Sequence, residues 1–250
     1  MIFYLTIFAF LFGLIIGSFI NCLVWRLYKN ESMMNRSYCP NCRKMISWYD
    51  NIPVISYLLL KAKCRKCLGK ISCQYPLVEI ITGILFALAF YINHAFSVQL
   101  FLNWLIIFVM IIIFIYDLRW YLILDIITLP ACVIIFLLNI YIGISWQNLL
   151  LSGAIGGGFF LLQFIVSRGK WIGGGDIRLG LLMGFALGFP MILVAIFLAY
   201  IIGSVASLGL LASGKKQWSS KIPLGIFLST ATIITLFWGD KMLGWYLGYL

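Results

Sequence analysis

Apolar residues in this chain come in long, nearly uninterrupted runs. They cover 1–25, 75–92, 100–116, 121–141, 149–166, 179–212 and 222–238, with Pro190 interrupting the sixth. A helix crossing a bilayer needs about 20 such residues. Alternation of period two is absent, which favours helices over a barrel. The pattern predicts an all-α polytopic membrane protein of about eight transmembrane helices. That count takes 179–212 as a pair folded near Gly188-Phe189-Pro190. The first member of the pair, 177–187, is too short to span alone and needs surrounding protein over its end. The run 1–25 lacks a small-residue cleavage site and reads as a retained helix.

Composition agrees. The 250 residues are 64% apolar and 10% charged, with mean hydropathy +1.08, whereas soluble domains carry about 25% charged residues. The net charge of +11 invites a nucleic-acid reading, but its placement argues against one. Ten of the 18 Lys and Arg residues lie within 26–70. Arg119, Arg168, Lys170, Arg178, Lys215, Lys216 and Lys221 follow. If the first helix runs outside to inside, all of these fall on the cytoplasmic side and only Lys241 falls outside. The basic excess is thus a positive-inside signal, with attraction to anionic lipid as a secondary effect. The expected location is a membrane, the expected surroundings a lipid bilayer, and no nucleic acid is expected.

The only sizeable polar stretch, 26–74, holds Cys39-Pro-Asn-Cys42 and Cys64-Arg-Lys-Cys67, two C-x-x-C pairs 21 residues apart. Each pair can present two thiolates from one turn, and together they make a closed, structural four-thiolate zinc site. Arg43, Lys44, Arg65 and Lys66 would favour the thiolates. The competing reading is four free or redox-active thiols. Cys22, Cys73 and Cys132 lack partners at ligand spacing and read as packing residues. The expected organisation is a first helix at 1–25, a cytoplasmic zinc-binding segment at 26–74, and a membrane domain at 75–250.

Of seven acidic residues, Glu31, Asp50 and Asp240 read as solvated, while Glu79, Asp117, Asp125 and Asp176 fall at or near membrane depth. A carboxylate there is costly and a functional candidate. Asp117 closes one apolar run. Asp176 follows Gly173-Gly174-Gly175, a catalytic-loop candidate, and could simply cap the next helix. Brought together, the two would share a proton and activate a water, the chemistry of aspartic proteases. His94, the only histidine, falls in a short external connection, which leaves a Ser–His or Cys–His mechanism without a base. Gly156-Gly157-Gly158, inside an apolar run, suggests close helix packing. Asp125 competes with Asp117 as partner for Asp176. If 117–125 were helical, eight residues would rotate the second acid about 80° beyond two turns, so the two could not serve one water equally.

At this point the residues resemble a family, the bacterial type IV prepilin peptidases of the GxGD aspartic protease group. The resemblance rests on Gly17-Ser18-Phe19-Ile20-Asn21, Arg26-Leu27, both cysteine pairs, Asn51-Ile52-Pro53, Ser56, Ile71-Ser72, Tyr75-Pro76 and Val78-Glu79. It continues through Asp117-Leu118-Arg119, Gly173-Gly174-Gly175-Asp176 and Ile222-Pro223-Leu224-Gly225. Leu124 and Ile226 stand where the family often has Pro, and Ala62 where it often has Gly. The resemblance implies cleavage of the short basic leader of prepilins or pseudopilins after Gly, on the cytoplasmic face, by Asp117 and Asp176. N-methylation of the new terminus from S-adenosylmethionine would follow, with 26–74 associated with methyl transfer. Glu79 matches a family position near the end of that region. Its other reading is a helix-end carboxylate paired with a base such as Lys70. The competing functions are a peptidase with an inactive methyltransferase half, a transporter using membrane carboxylates, and a non-enzymatic scaffold.

Overall fold

The computed structural model describes residues 2–213 and 222–248. Lys215, Lys216 and Lys221 lie outside the described residues. Those described contain nine α-helices and no strand: α1 (Ile2–Lys29), α2 (Ile55–Leu59), α3 (Gln74–Asn93), α4 (Val98–Trp120), α5 (Asp125–Tyr141), α6 (Trp146–Ser167), α7 (Gly174–Leu187), α8 (Met191–Ala212) and α9 (Leu224–Leu247). Six of them, α1, α3, α4, α6, α8 and α9, are long and apolar enough to cross a bilayer. With 17 and 14 residues, α5 and α7 are shorter. The turn near Gly188-Phe189-Pro190 does divide the stretch 179–212 into two helices, α7 and α8. The chain forms two compact units, Met1–Leu100 and Phe101–Leu250.

In the first unit α1 packs against α3 at backbone distance. A Cβ on Gly13 would lie 2.8 Å from the Gly83 Cα, and one on Gly17 would lie 2.7 Å from the Glu79 Cα. Small residues at one-turn spacing let the axes approach this closely, and so fix which face of α3 meets α1. Beyond α1 the chain is pinned by Arg26, which is buried and donates to the backbone carbonyls of Met33 and Asn35. Asp50, expected to be solvated, is instead largely covered and takes a bidentate contact from Arg65 at 2.7 and 3.0 Å. Arg65 also stacks over Tyr49. Glu31 accepts from the Tyr38 hydroxyl. Cys73, expected to pack, is exposed at the N-cap of α3. His94 caps the far end of α3 in a left-handed conformation with φ of 59°.

The second unit is built around α7. Its Leu179, Leu182 and Met183 have no exposed surface, and α5, α6 and α9 all pack against it. The α6–α7 interface is closer still than α1–α3. A Cβ on Gly156 would sit 2.2 Å from the Gly180 carbonyl oxygen, and one on Gly184 would sit 2.3 Å from the Ser152 carbonyl oxygen. Fourteen residues span about 21 Å at 1.5 Å each, well short of the roughly 30 Å hydrocarbon core. Both ends of α7 are therefore satisfied by protein groups. At the C-terminal end, Asn139 of α5 donates to the Phe185 carbonyl at 2.8 Å. Asn148 of α6 accepts from the Phe189 N–H at 2.9 Å and donates to the Phe189 carbonyl at 3.0 Å. Residues 121–124 are not helical, and Tyr121 has φ of +56°. Asp117 and Asp125 thus belong to separate helices, and the single-helix premise for comparing them fails.

The three glycines of α6 are not equivalent. Gly156→Ala should destabilise the fold by about 1–3 kcal/mol, because a methyl meets backbone that cannot move aside. Gly158→Ala, with nothing within 4 Å of its added Cβ, should be neutral or stabilising by up to about 1 kcal/mol through helix propensity. Unfolding of the two purified variants in mixed micelles gives the comparison. Equal losses at both positions would refute the packing assignment.

Candidate active site and cysteine centre

Asp117 lies in the last turn of α4 and is 5% exposed. Its Oδ2 accepts the Ile226 N–H at 3.2 Å, and a Cβ on Gly225 would lie 2.7 Å from that oxygen. The carboxylate therefore occupies the N-terminus of α9, where unpaired N–H groups and the helix dipole favour negative charge. Gly225 leaves room for it, and Ile226 supplies an N–H that a proline there would lack. Sequence reading noted Ile222-Pro223-Leu224-Gly225 only as part of a resemblance. The signal for its role was the Pro–x–Gly start of a helix with no acid of its own in the first turn.

Asp176 sits at the other helix N-terminus of the site. Its Oδ2 accepts the Gly173 N–H at 3.0 Å, while its own N–H donates to the Gly173 carbonyl at 3.1 Å. The capping role foreseen for it is present, and it uses one carboxylate oxygen. Gly175 lets the loop close on α5's approach segment, since a Cβ there would sit 2.9 Å from the Ile123 Cβ. Asp117 lies within electrostatic reach of Asp176. Asp125 is placed differently: it starts α5, is exposed, and pairs with Arg178, two residues beyond Asp176.

Tyr200 of α8 also lies within electrostatic reach of Asp176. Its hydroxyl donates to Gln163 Oε1 at 3.0 Å, and its ring meets Phe159 edge-on. Sequence reading missed this pair, because a Tyr in an apolar run carries no local signature. Tyr200 lines a cleft of about 430 Å³ with Gly203, Ser204, Ser207, Leu224 and Phe227. Its small α8 side chains permit close approach of another helix.

The four cysteines of the first unit converge, with all sulfurs within 4.8 Å of one another and the Sγ atoms of Cys39 and Cys67 3.9 Å apart. The two turns that carry them are built alike. Cys39 N–H donates to the Lys44 carbonyl and Arg43 N–H to the Cys39 carbonyl. Likewise Cys64 N–H donates to the Gly69 carbonyl and Leu68 N–H to the Cys64 carbonyl. The residue after each second cysteine, Arg43 or Leu68, is left-handed, with φ of 55° and 57°. The N–H groups of Cys67 and Lys66 draw the Cys64 thiol down to about 7. For Cys67, the Gly69 N–H works the same way, but burial and the sulfurs of Cys64, Cys42 and Cys39 prevail and push it up to about 11. Four sulfurs this close cannot all ionise at neutral pH without a cation, and the donor set fits a soft, tetrahedral metal ion. Arg65 contributes less to the thiolates than its position suggested, since Asp50 holds it.

Glu79 is buried in the second turn of α3. Its Oε2 accepts the Val54 N–H at 2.8 Å, and the Ser18 side chain lies beside it. These contacts stand where the alternative reading of Glu79 placed a base such as Lys70.

Residues 11–93 match the bacterial peptidase A24 N-terminal domain, and residues 104–208 match the type IV leader peptidase family. The prepilin leader peptidase/N-methyltransferase of Bacillus subtilis is 31% identical over 246 residues, covering 95% of this chain and 96% of that protein. The protein of the same description from Vibrio cholerae is 34% identical over 254 residues, covering 94% of this chain and 96% of its own. That from Legionella pneumophila is 28% identical over 268 residues, covering 96% and 93%. No solved structure matches. With both halves matched in order and relatives aligned nearly end to end, the chain belongs to the type IV leader peptidase family.

Proposed function

We propose that the chain cuts the short basic leader from prepilins or pseudopilins on the cytoplasmic face of the bacterial inner membrane, and N-methylates the new terminus. The observation that supports the peptidase reading is that Asp117 and Asp176 each accept an N–H at the N-terminus of a different helix and lie within electrostatic reach of one another, both acids falling inside the matched peptidase region. In this reading one carboxylate takes a proton from the attacking water while the other, protonated, polarises the scissile carbonyl. The Ile226 and Gly173 N–H groups each hold one oxygen of an acid, and leave the other for chemistry. Gly173, Gly174 and Gly175 form the loop that brings Asp176 in. A leader held inside by its charge presents its cleavage point at the boundary where 17 of 18 bases gather.

The 26–74 segment serves methyl transfer, with Cys39, Cys42, Cys64 and Cys67 holding a structural zinc. When bound, the ion supplies the positive charge that lets four thiolates coexist and ties the two turns together. S-adenosylmethionine is the methyl donor, and Glu79 belongs to the methyltransferase half. The names of the relatives support both activities. The acids of the site sit at helix ends, not along the bilayer's depth, and this disfavours a transporter.

Asp117→Asn and Asp176→Asn should each reduce leader cleavage by at least about 100-fold, as loss of a positioned acid–base group does. Asp125→Asn should retain activity within about fivefold, since it loses only an exposed ion pair. Cleavage of a co-expressed prepilin reads out all three. An active Asp117→Asn beside an inactive Asp125→Asn would reverse the assignment.

Gly225→Ala should impair cleavage without unfolding the protein, because its methyl would displace the Asp117 carboxylate by a few tenths of an ångström. Misplacements of this order cost up to about 100-fold. Wild-type cleavage by Gly225→Ala would show that α9 does not position Asp117.

Metal analysis should find one zinc per purified chain. Cys→Ser at any of the four positions should release it and expose 26–74 to proteolysis, with methylation suffering more than cleavage. A zinc-free, fully methylating preparation would exclude the structural site.

A further inference from the structure

At the α1–α3 interface a buried acceptor is left over. Asn21 is 5% exposed, and its Nδ2 donates to the Tyr75 carbonyl at 3.1 Å. That bond fixes the amide's orientation, because a carbonyl can only accept. Asn21 Oδ1 then has no partner among the described residues. Buried polar atoms are rarely left so, and an orphan is a pointer to something that completes it. Asn21 lies one turn beyond Gly17, whose backbone packs on Glu79, and three residues from Ser18, whose side chain lies beside Glu79. Tyr75 and Glu79 are likewise one turn apart on α3. Residues so spaced on a helix are neighbours about 5–6 Å apart.

The same α1–α3 seam holds Glu79, buried, with no Lys or Arg in an ion pair with it among the described residues. One of its oxygens is fixed by the N–H of Val54, a β-branched residue at φ of +60°. Such a backbone is strained and persists only where its surroundings impose it. The cluster thus offers a carboxylate and an unpaired amide oxygen, both acceptors, and no cation. One carboxylate and one amide are too few ligands for a hard metal ion. A group with several N–H donors and a positive charge satisfies both.

We propose that Asn21, Ser18 and Glu79 bind a primary ammonium group, the free α-amino terminus of the processed substrate. This rests on the methyltransferase half of the proposed function. Glu79 takes the proton from the ammonium. The freed amine lone pair then attacks the methyl carbon of a sulfonium donor. An N–C bond forms, the C–S bond breaks with its electrons going to sulfur, and a neutral thioether leaves beside a methylated ammonium. Asn21 Oδ1 orients the nitrogen by accepting one of its N–H bonds.

The test uses the full-length zinc-loaded chain, a pre-cleaved pilin with a free N-terminus, and S-adenosylmethionine. Methylation is followed by mass, leader cleavage is measured on unprocessed prepilin, and binding of S-adenosylhomocysteine is titrated directly. Asn21→Ala should raise the KM for the pre-cleaved chain by about tenfold or more, with cleavage and S-adenosylhomocysteine affinity within about twofold of wild type. Glu79→Gln should lower kcat for methylation instead. Should Asn21→Ala fail to fold, Ser18→Ala with the same readouts decides, its methylation KM rising where the proposal holds. Unchanged methylation in these variants overturns the proposal. So does a parallel loss of S-adenosylhomocysteine affinity, which would assign the cluster to the methyl donor. A wild-type chain that cleaves but cannot methylate the pre-cleaved pilin overturns this inference and leaves the peptidase reading intact, whereas one that methylates without cleaving does the reverse.

Discussion

Backbone contact between α6 and α7 is the constraint on which the second unit depends. At Gly156 and Gly180 the two chains approach so closely that neither position has space for a methyl group. Between apolar helices in a lipid there is no hydrophobic gain from association, so close packing of this kind has to supply the specificity. It also fixes the rotation of α7 about its own axis. Asp176 lies in the first turn of α7, so that rotation also sets the direction of its side chain. Gly180 lies one turn beyond Asp176 on α7, so the contact that holds the two helices together also holds the turn that carries the carboxylate.

The two units solve the same problem in a similar way. Each buries a carboxylate in an apolar surrounding and answers its charge with backbone N–H groups, avoiding a buried cation. Asp117 takes the Ile226 N–H, Asp176 that of Gly173, and Glu79 that of Val54. A paired arginine would neutralise each acid permanently. A backbone dipole steadies the carboxylate and leaves it able to exchange a proton. Asp125 and Asp50 are treated otherwise, the first paired with Arg178 and the second with Arg65.

The helices and the cysteine centre were legible in the sequence because their signals are local: run length, glycine and proline punctuation, and C-x-x-C spacing. Asp117 and Asp176 stood out because carboxylates are rare in such runs. What escaped was set by tertiary contact. Nothing near Gly225 indicates that an aspartate 108 positions earlier will fill the space beside it. The contacts of Glu79 were hidden for the same reason. A nearby lysine was the obvious candidate in the sequence, but a loop N–H reached the carboxylate. Ala62, where glycine is usual, proves to be left-handed at φ of 58°, so the family's glycine has a conformational reason that the substitution here has to bear, at about 1–2 kcal/mol.

The shortness of α7 bears on how the protein is made. A fourteen-residue helix with an aspartate and an arginine in its first turns is a poor candidate for independent entry into a bilayer during synthesis, because charged residues and insufficient length both oppose partitioning. Its end groups are completed by Asn139 and Asn148, on helices already synthesised when α7 emerges. Insertion of α7 is thus an act of assembly onto α5 and α6. The contact between Asp117 and the N-terminus of α9 can form only later, once that last helix has been made.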